Sequence, residues 1–149
     1  MRHVGVVGHE ASKFTRSGEA QARQIIRVLL SDPLAILVSG GCHLGGIDIW
    51  AEEIADELGR LKQIYLPKVL SWEGGFKQRN KLIAENSDEL HCLAVVRLAS
   101  SYRGMRFSSC YHCGSSDHVK GGGCWTMKHA RKLEKLTQLH PIDNREDDQ

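Results

Sequence analysis

The sequence predicts an α/β domain of Rossmann-like type, a parallel sheet of about five strands with helices on both faces. Three observations predict it. Short apolar runs ending in glycine or proline alternate with segments of helical period, the connections are mostly short, and glycines gather where a strand hands over to a helix. With 149 residues the chain suits one domain that buries its own core.

The first strand is read at 3–8, an apolar run closed by Gly8. A helix over about 17–31 follows, because Ala22, Ile25, Ile26 and Leu29 share one face. The second strand, 34–38, ends in Ser39-Gly40-Gly41. Ile47, Trp50, Ala51, Ile54, Ala55 and Leu58 then form a clean stripe, which Gly59 is expected to terminate. A third strand at 63–66 stops before Pro67. Helix 76–87, strand 90–96, helix 124–136 and a closing strand at 139–142 complete the order βαβαβαβαβ. Residues 1–142 are expected to be the domain, and 143–149, with four acids and Arg145, a disordered acidic tail. Outside that tail, 19 basic side chains face 14 acidic ones, a net of +5 that suits a phosphate-bearing ligand.

No apolar run approaches the ~20 residues of a membrane span, and no signal-peptide pattern opens the chain. The expectation is a cytoplasmic protein without a membrane partner; a homo-oligomer is among the assemblies left open. Five cysteines, an odd number without an export signal, argue for thiols or metal ligands over disulfides.

In an open α/β sheet, ligands sit beyond the carboxyl ends of the strands, where helix amino termini offer N–H groups to an anion. Gly40, Gly41, Gly45 and Gly46 at the second strand-to-helix junction allow close backbone approach to a phosphate. Ser39 opens that junction, and Asp48 either caps the helix or takes a ribose hydroxyl. Gly8 follows the first strand, Arg79 and Asn80 lie near the start of the third helix, and Gly122, Gly123 and Thr126 open the fourth. Arg79 offers a planar cation for phosphate or a surface ion pair with Glu85 or Asp88. Thr126 offers its hydroxyl to phosphate or to its own helix. Neither the dinucleotide fingerprint nor a Walker loop is present.

Taken in order, Ser39-Gly40-Gly41, Gly45-Gly46-Ile47-Asp48 with Ala51, Trp72, Arg79-Asn80 with Ile83-Ala84 and Ser87-Asp88, and a glycine run before Thr126 and Ala130 resemble the SLOG superfamily. That group includes YpsA-like proteins, lonely-guy phosphoribohydrolases and the Rossmann-like part of DNA-processing protein A. The resemblance covers nearly the whole chain up to Ile142. It implies a Rossmann-like fold that binds nucleotides or nucleotide-derived signals through Gly40, Gly41, Gly45, Gly46, Asp48, Arg79, Asn80, Gly122, Gly123 and Thr126. The phosphoribohydrolases carry an acid three residues after the threonine, where this chain has His129. The resemblance therefore implies binding rather than hydrolysis.

Residues 99–123 break the alternation with a long loop rich in Ser, Gly and Cys. Within the possible zinc insert at 99–124, Cys110, Cys113, His118 and Cys124 spell C-x2-C-x4-H-x5-C, close to a retroviral-type zinc knuckle with one extra residue before the last cysteine. Zinc would supply the support such a loop otherwise lacks. His112 is an alternative to His118, a redox C-x2-C pair is a second reading, and Cys92 in its apolar strand belongs to the core.

The expected function is binding or sensing of a nucleotide-like small molecule. The enzyme alternative, an N-glycosidic or phosphoester hydrolase, needs a carboxylate at the ligand, for which Glu10, Asp48 and Glu85 are candidates, with His9 and His43 as loop histidines. A third class, single-stranded nucleic-acid binding, follows from Arg103, Arg106, Phe107 and Tyr111 beside the knuckle.

Overall fold

In a computed structural model, which describes residues 1–146, the strands and helices form in the expected order. They are β1 (Arg2–Gly8), α1 (Arg16–Leu29), β2 (Ala35–Ser39), α2 (Ile47–Leu58), β3 (Leu61–Ile64), α3 (Lys77–Asn86), β4 (Glu89–Val95), α4 (Gly122–Lys132) and β5 (Leu136–Ile142). The sheet is parallel throughout, in the order β3-β2-β1-β4-β5.

Strand periodicity divides the core between the two faces of the sheet. Val4 and Val6 of β1, Leu37 of β2 and Leu93 and Val95 of β4 pack with Ala22 and Ile26 of α1 and the Trp50-Ala51-Ile54-Ala55 stripe of α2. Val7, Val38, Leu90 and Cys92 alternate with them and pack with Ile83 and Ala84 of α3 and Met127 and Ala130 of α4. Cys92 is core, as its strand predicts.

Local chemistry explains the helix ends. Thr15 caps α1 by accepting from the Gly18 amide at 3.2 Å. Gly59 ends α2 in the left-handed conformation, φ 72°, as expected of a glycine closing an apolar stripe. The end of α4 was less legible. Glu134, at φ 60°, makes the turn without a glycine, so Leu136 opens β5 instead of extending the helix. β5 is an edge strand, which admits Pro141.

The expected free tail does not start at residue 143. Asn144 is fully buried, accepts from the Thr15 amide at 2.7 Å and donates to the carbonyls of Lys13 and Arg97 at 2.8 and 2.9 Å. A buried amide that satisfies several backbone groups fixes the chain there. Residues 147–149 of the expected tail lie outside the described residues.

Candidate functional site: a cavity at the sheet switch point and a cysteine–histidine cluster beside it

From β1 the chain crosses to β2 on one side, and β4 lies on the other. The loops leaving β1 and β4 therefore diverge, opening the crevice where such sheets bind ligands. A cavity of about 190 Å³ occupies it.

Gly8 and Gly122-Gly123 form its glycine walls from the two diverging connections. A Cβ on Gly8 would overlap the Leu93 carbonyl and Ile47, and one on Gly123 would stand 3.0 Å from the Gly8 amide nitrogen, so both positions are as small as the crevice requires. The N-cap of α4 is Gly121, which has no side chain to cap the helix, and the first residues of α4 line the cavity.

Arg79 and Asn80 reach the cavity from α3, and Thr126 from α4. Arg79 makes no ion pair with Glu85 or Asp88; it donates to the Gly40 carbonyl and to Asn80 Oδ1, both at 2.8 Å, and so is held at the cavity wall. Thr126 donates back to the Gly122 carbonyl at 3.2 Å. Asp48 does not cap its helix: its carboxylate accepts the Cys42 amide at 3.1 Å, tying the β2–α2 loop to α2 while lining the cavity.

The remaining predicted residues lie elsewhere. Ser39 is buried and donates to the Val6 carbonyl at 3.2 Å. Gly40 carries the carbonyl that holds Arg79, and Gly41 (φ 58°) turns towards Ile64 and Leu66. Gly45 faces Ala11, and Gly46 (φ 82°) packs so closely on the backbone of His9, Glu10 and Ala11 that any Cβ would collide. This glycine cluster seats α2 against the loop after β1 and does not line the cavity.

Lys13 lines the cavity, and the sequence reading passed it over. A short helical turn, Ala11–Lys13, after β1 brings it there, too brief to leave a periodic signal. Burial holds its ammonium below the ordinary lysine value, opposed by Glu10. Burial also raises the Asp48 carboxyl to about 6, against the pull of Arg79. His9 also lines the cavity, with both ring nitrogens turned to the backbone. Buried, and held down to about 3 chiefly by that burial, it stays neutral, accepts the Val95 amide at Nδ1 and turns Nε2 to the Lys120 carbonyl.

The insert closes the same rim of the sheet. Cys110, Cys113, His118 and Cys124 bring one donor atom each within 4.8 Å of one another. Four donors at zinc-ligand distances from one ion stand about 3.8 Å apart, so small side-chain shifts close the tetrahedron. Cys110 and Ser115 pair as a miniature hairpin around Gly114 at φ 64°. His118 decides between the two histidines. It is fully buried, its Nε2 has no hydrogen-bond partner among the described residues, and its Nδ1 sits 2.6 Å from the Asp117 carboxylate. A carboxylate behind a histidine whose other nitrogen faces thiols is the arrangement of a metal-ligating imidazole. His112 lies outside the group and lines a neighbouring cavity. Burial and the crowding of sulfurs raise the thiols, Cys113 to about 12, a cost that a dication offsets.

No family model matches the chain, and no curated protein matches it at a significant level. Solved structures do. The molybdenum cofactor carrier protein of Chlamydomonas reinhardtii superposes with a TM-score of 0.62 at 18% identity, over 93% of this chain and 75% of that one. The structural-genomics target TM1055 gives 0.61 at 14% identity, over 92% and 72%. DNA processing protein A of Streptococcus pneumoniae gives 0.60 at 17%, over 99% of this chain but 52% of its own, so the chain spans about half of that protein. Among the described residues no helix is long and apolar enough to cross a membrane. The likeness to these proteins holds at the level of the fold, and the chain is a Rossmann-like α/β domain.

Proposed function

We propose that this domain binds a nucleotide-like, phosphate-bearing small molecule in the switch-point cavity and releases it unchanged, with a zinc ion in the Cys110-Cys113-His118-Cys124 group shaping the rim. One observation carries the reading: two glycine turns from diverging connections, Gly8 and Gly122-Gly123, share a small cavity with the cations Lys13 and Arg79. The glycines admit an anion to the backbone and the cations neutralise it. Keeping a ligand intact is also what the name of the Chlamydomonas carrier describes. Zinc suits a donor set of three thiolates and one imidazole.

A hydrolytic reading has one specific support. Asp48, raised to about 6, and Glu10 put carboxyl groups in the same cavity, and a carboxyl near neutrality can move a proton. Calorimetric titration with a panel of nucleoside mono- and diphosphates, followed by chromatography of the recovered ligand, separates the two. Saturable binding that Arg79→Ala weakens at least ten-fold, with intact ligand recovered, is the expected result. Released base or phosphate, abolished by Asp48→Asn, establishes the hydrolase; no binding across the panel refutes the assignment.

The nucleic-acid reading loses one of its cations. Arg106 is occupied by the Ala99, Ser100 and Tyr102 carbonyls at 2.9–3.3 Å.

A further inference from the structure

A second cavity, about 490 Å³, adjoins the first. Arg79, Asn80 and Gly122 line both, so the two cavities share a border and lie within reach of one small ligand. The second is aromatic where the first is polar. Trp72 and Phe76 from the β3–α3 connection and Trp125 from α4 line it, with Tyr111, His112 and Lys120 from the insert.

These rings are exposed at a cost. Trp72 is 40% exposed and Tyr111 65%, although both have aromatic neighbours to pack on. Trp72 stands edge-on to Trp125, centroids 4.9 Å apart at 88°, and His129 stacks on Trp125 at 5.4 Å and 4°. The Trp125 ring is thus fixed in orientation, as a stacking platform needs to be. Lys120 lies 5.5 Å from the Tyr111 centroid and brings a cation to the same wall. Its carbonyl faces His9 Nε2 at 3.2 Å, and a Cβ at Gly121 would overlap the His9 ring, so the strap carrying Lys120 is pinned to the loop beside the phosphate cavity.

We infer that this second cavity seats the planar heteroaromatic base of the ligand whose phosphate occupies the first, with the insert supplying one wall of the seat. The inference rests on the phosphate reading above and adds the ring. A mononucleotide fits better than a nucleic-acid strand because its two ends match two adjoining, chemically different cavities, polar and aromatic. The sequence offers Trp72 and Tyr111 only as separate cues, one in the family-like string and one beside the knuckle, and nothing in their spacing joins them to Trp125.

Tryptophan fluorescence and calorimetry with AMP, GMP, CMP and UMP, each against ribose 5-phosphate, test it. At least one nucleotide binds about ten-fold or more tightly than ribose 5-phosphate, which carries the same phosphate without the base, and quenches the fluorescence. Tyr111→Ala, at a position 65% exposed, and Trp125→Ala reduce that advantage and leave ribose 5-phosphate affinity unchanged. Equal affinity for the sugar phosphate and all four nucleotides overturns the base seat while the phosphate reading stands. No binding of any of the five overturns both. Strong retention of single-stranded oligothymidylate, lost in the same variants while mononucleotides stay silent, assigns the rings to nucleic acid and also overturns the inference.

Discussion

Asp48 is the residue whose environment departs furthest from its sequence appearance. Read as a helix cap or a partner for a ribose hydroxyl, it is a buried carboxylate bonded to the Cys42 amide, with its pKa raised to about 6 by burial. The sign of its effect on an anionic ligand follows. Above pH 6 the ionised carboxylate repels the anion, and below it the neutral acid does not. Sulfate remains a dianion throughout this range, so its affinity should rise at least about five-fold as pH falls from 8 to 5, with a midpoint near 6. Asp48→Asn should flatten that dependence, and a profile unchanged by the variant would contradict the role. His118 supports a second prediction. With its partnerless buried nitrogen among three cysteines, the purified protein should hold one zinc per chain, and Cys113→Ser should lose it and melt at lower temperature. Metal-free wild-type protein with unchanged melting behaviour would refute it. The cysteine spacing was legible because zinc demands donor types at fixed intervals. The spacing also put His118 ahead of His112, and the burial of His118, its Asp117 contact and its place in the donor group bear out that choice.

The elements were legible wherever the chain buries one face with a regular period. The α2 stripe gave both ends of its helix, and the alternation in β1, β2 and β4 sorts into two cores as strand geometry requires. Sequence reasoning stopped at elements held by contacts distant in the chain. The Gly45-Gly46 junction resembles a phosphate loop, yet its glycines serve the contact between α2 and the backbone after β1. Lys13 reaches the cavity on a turn of three residues. Asn144 looks like part of a polar tail but ties Thr15, Lys13 and Arg97 together across the fold. Asn144→Ala should therefore cost about 2–3 kcal/mol in chemical denaturation, because two backbone carbonyls and an amide lose their partner. Within 0.5 kcal/mol of wild type, the anchoring account of this segment fails.

At the scale of the molecule, topology assembles the candidate site. Strand order β3-β2-β1-β4-β5 places β1 beside β4, and their diverging connections bring Gly8, Lys13 and Gly122-Gly123 to one cavity, which Arg79 joins from α3. The cysteine–histidine group stands on the same rim and shares with the cavity the first turn of α4, where Gly123 lines the cavity and Cys124 belongs to the cluster. The central claim is that an anion sits among those turns. Anomalous diffraction from crystals soaked with tungstate locates an oxyanion without assuming which ligand is native. The account predicts a peak between Gly8, Gly122-Gly123, Lys13 and Arg79 that vanishes in Arg79→Ala crystals; a peak elsewhere on the surface, or none at the switch point, would contradict it.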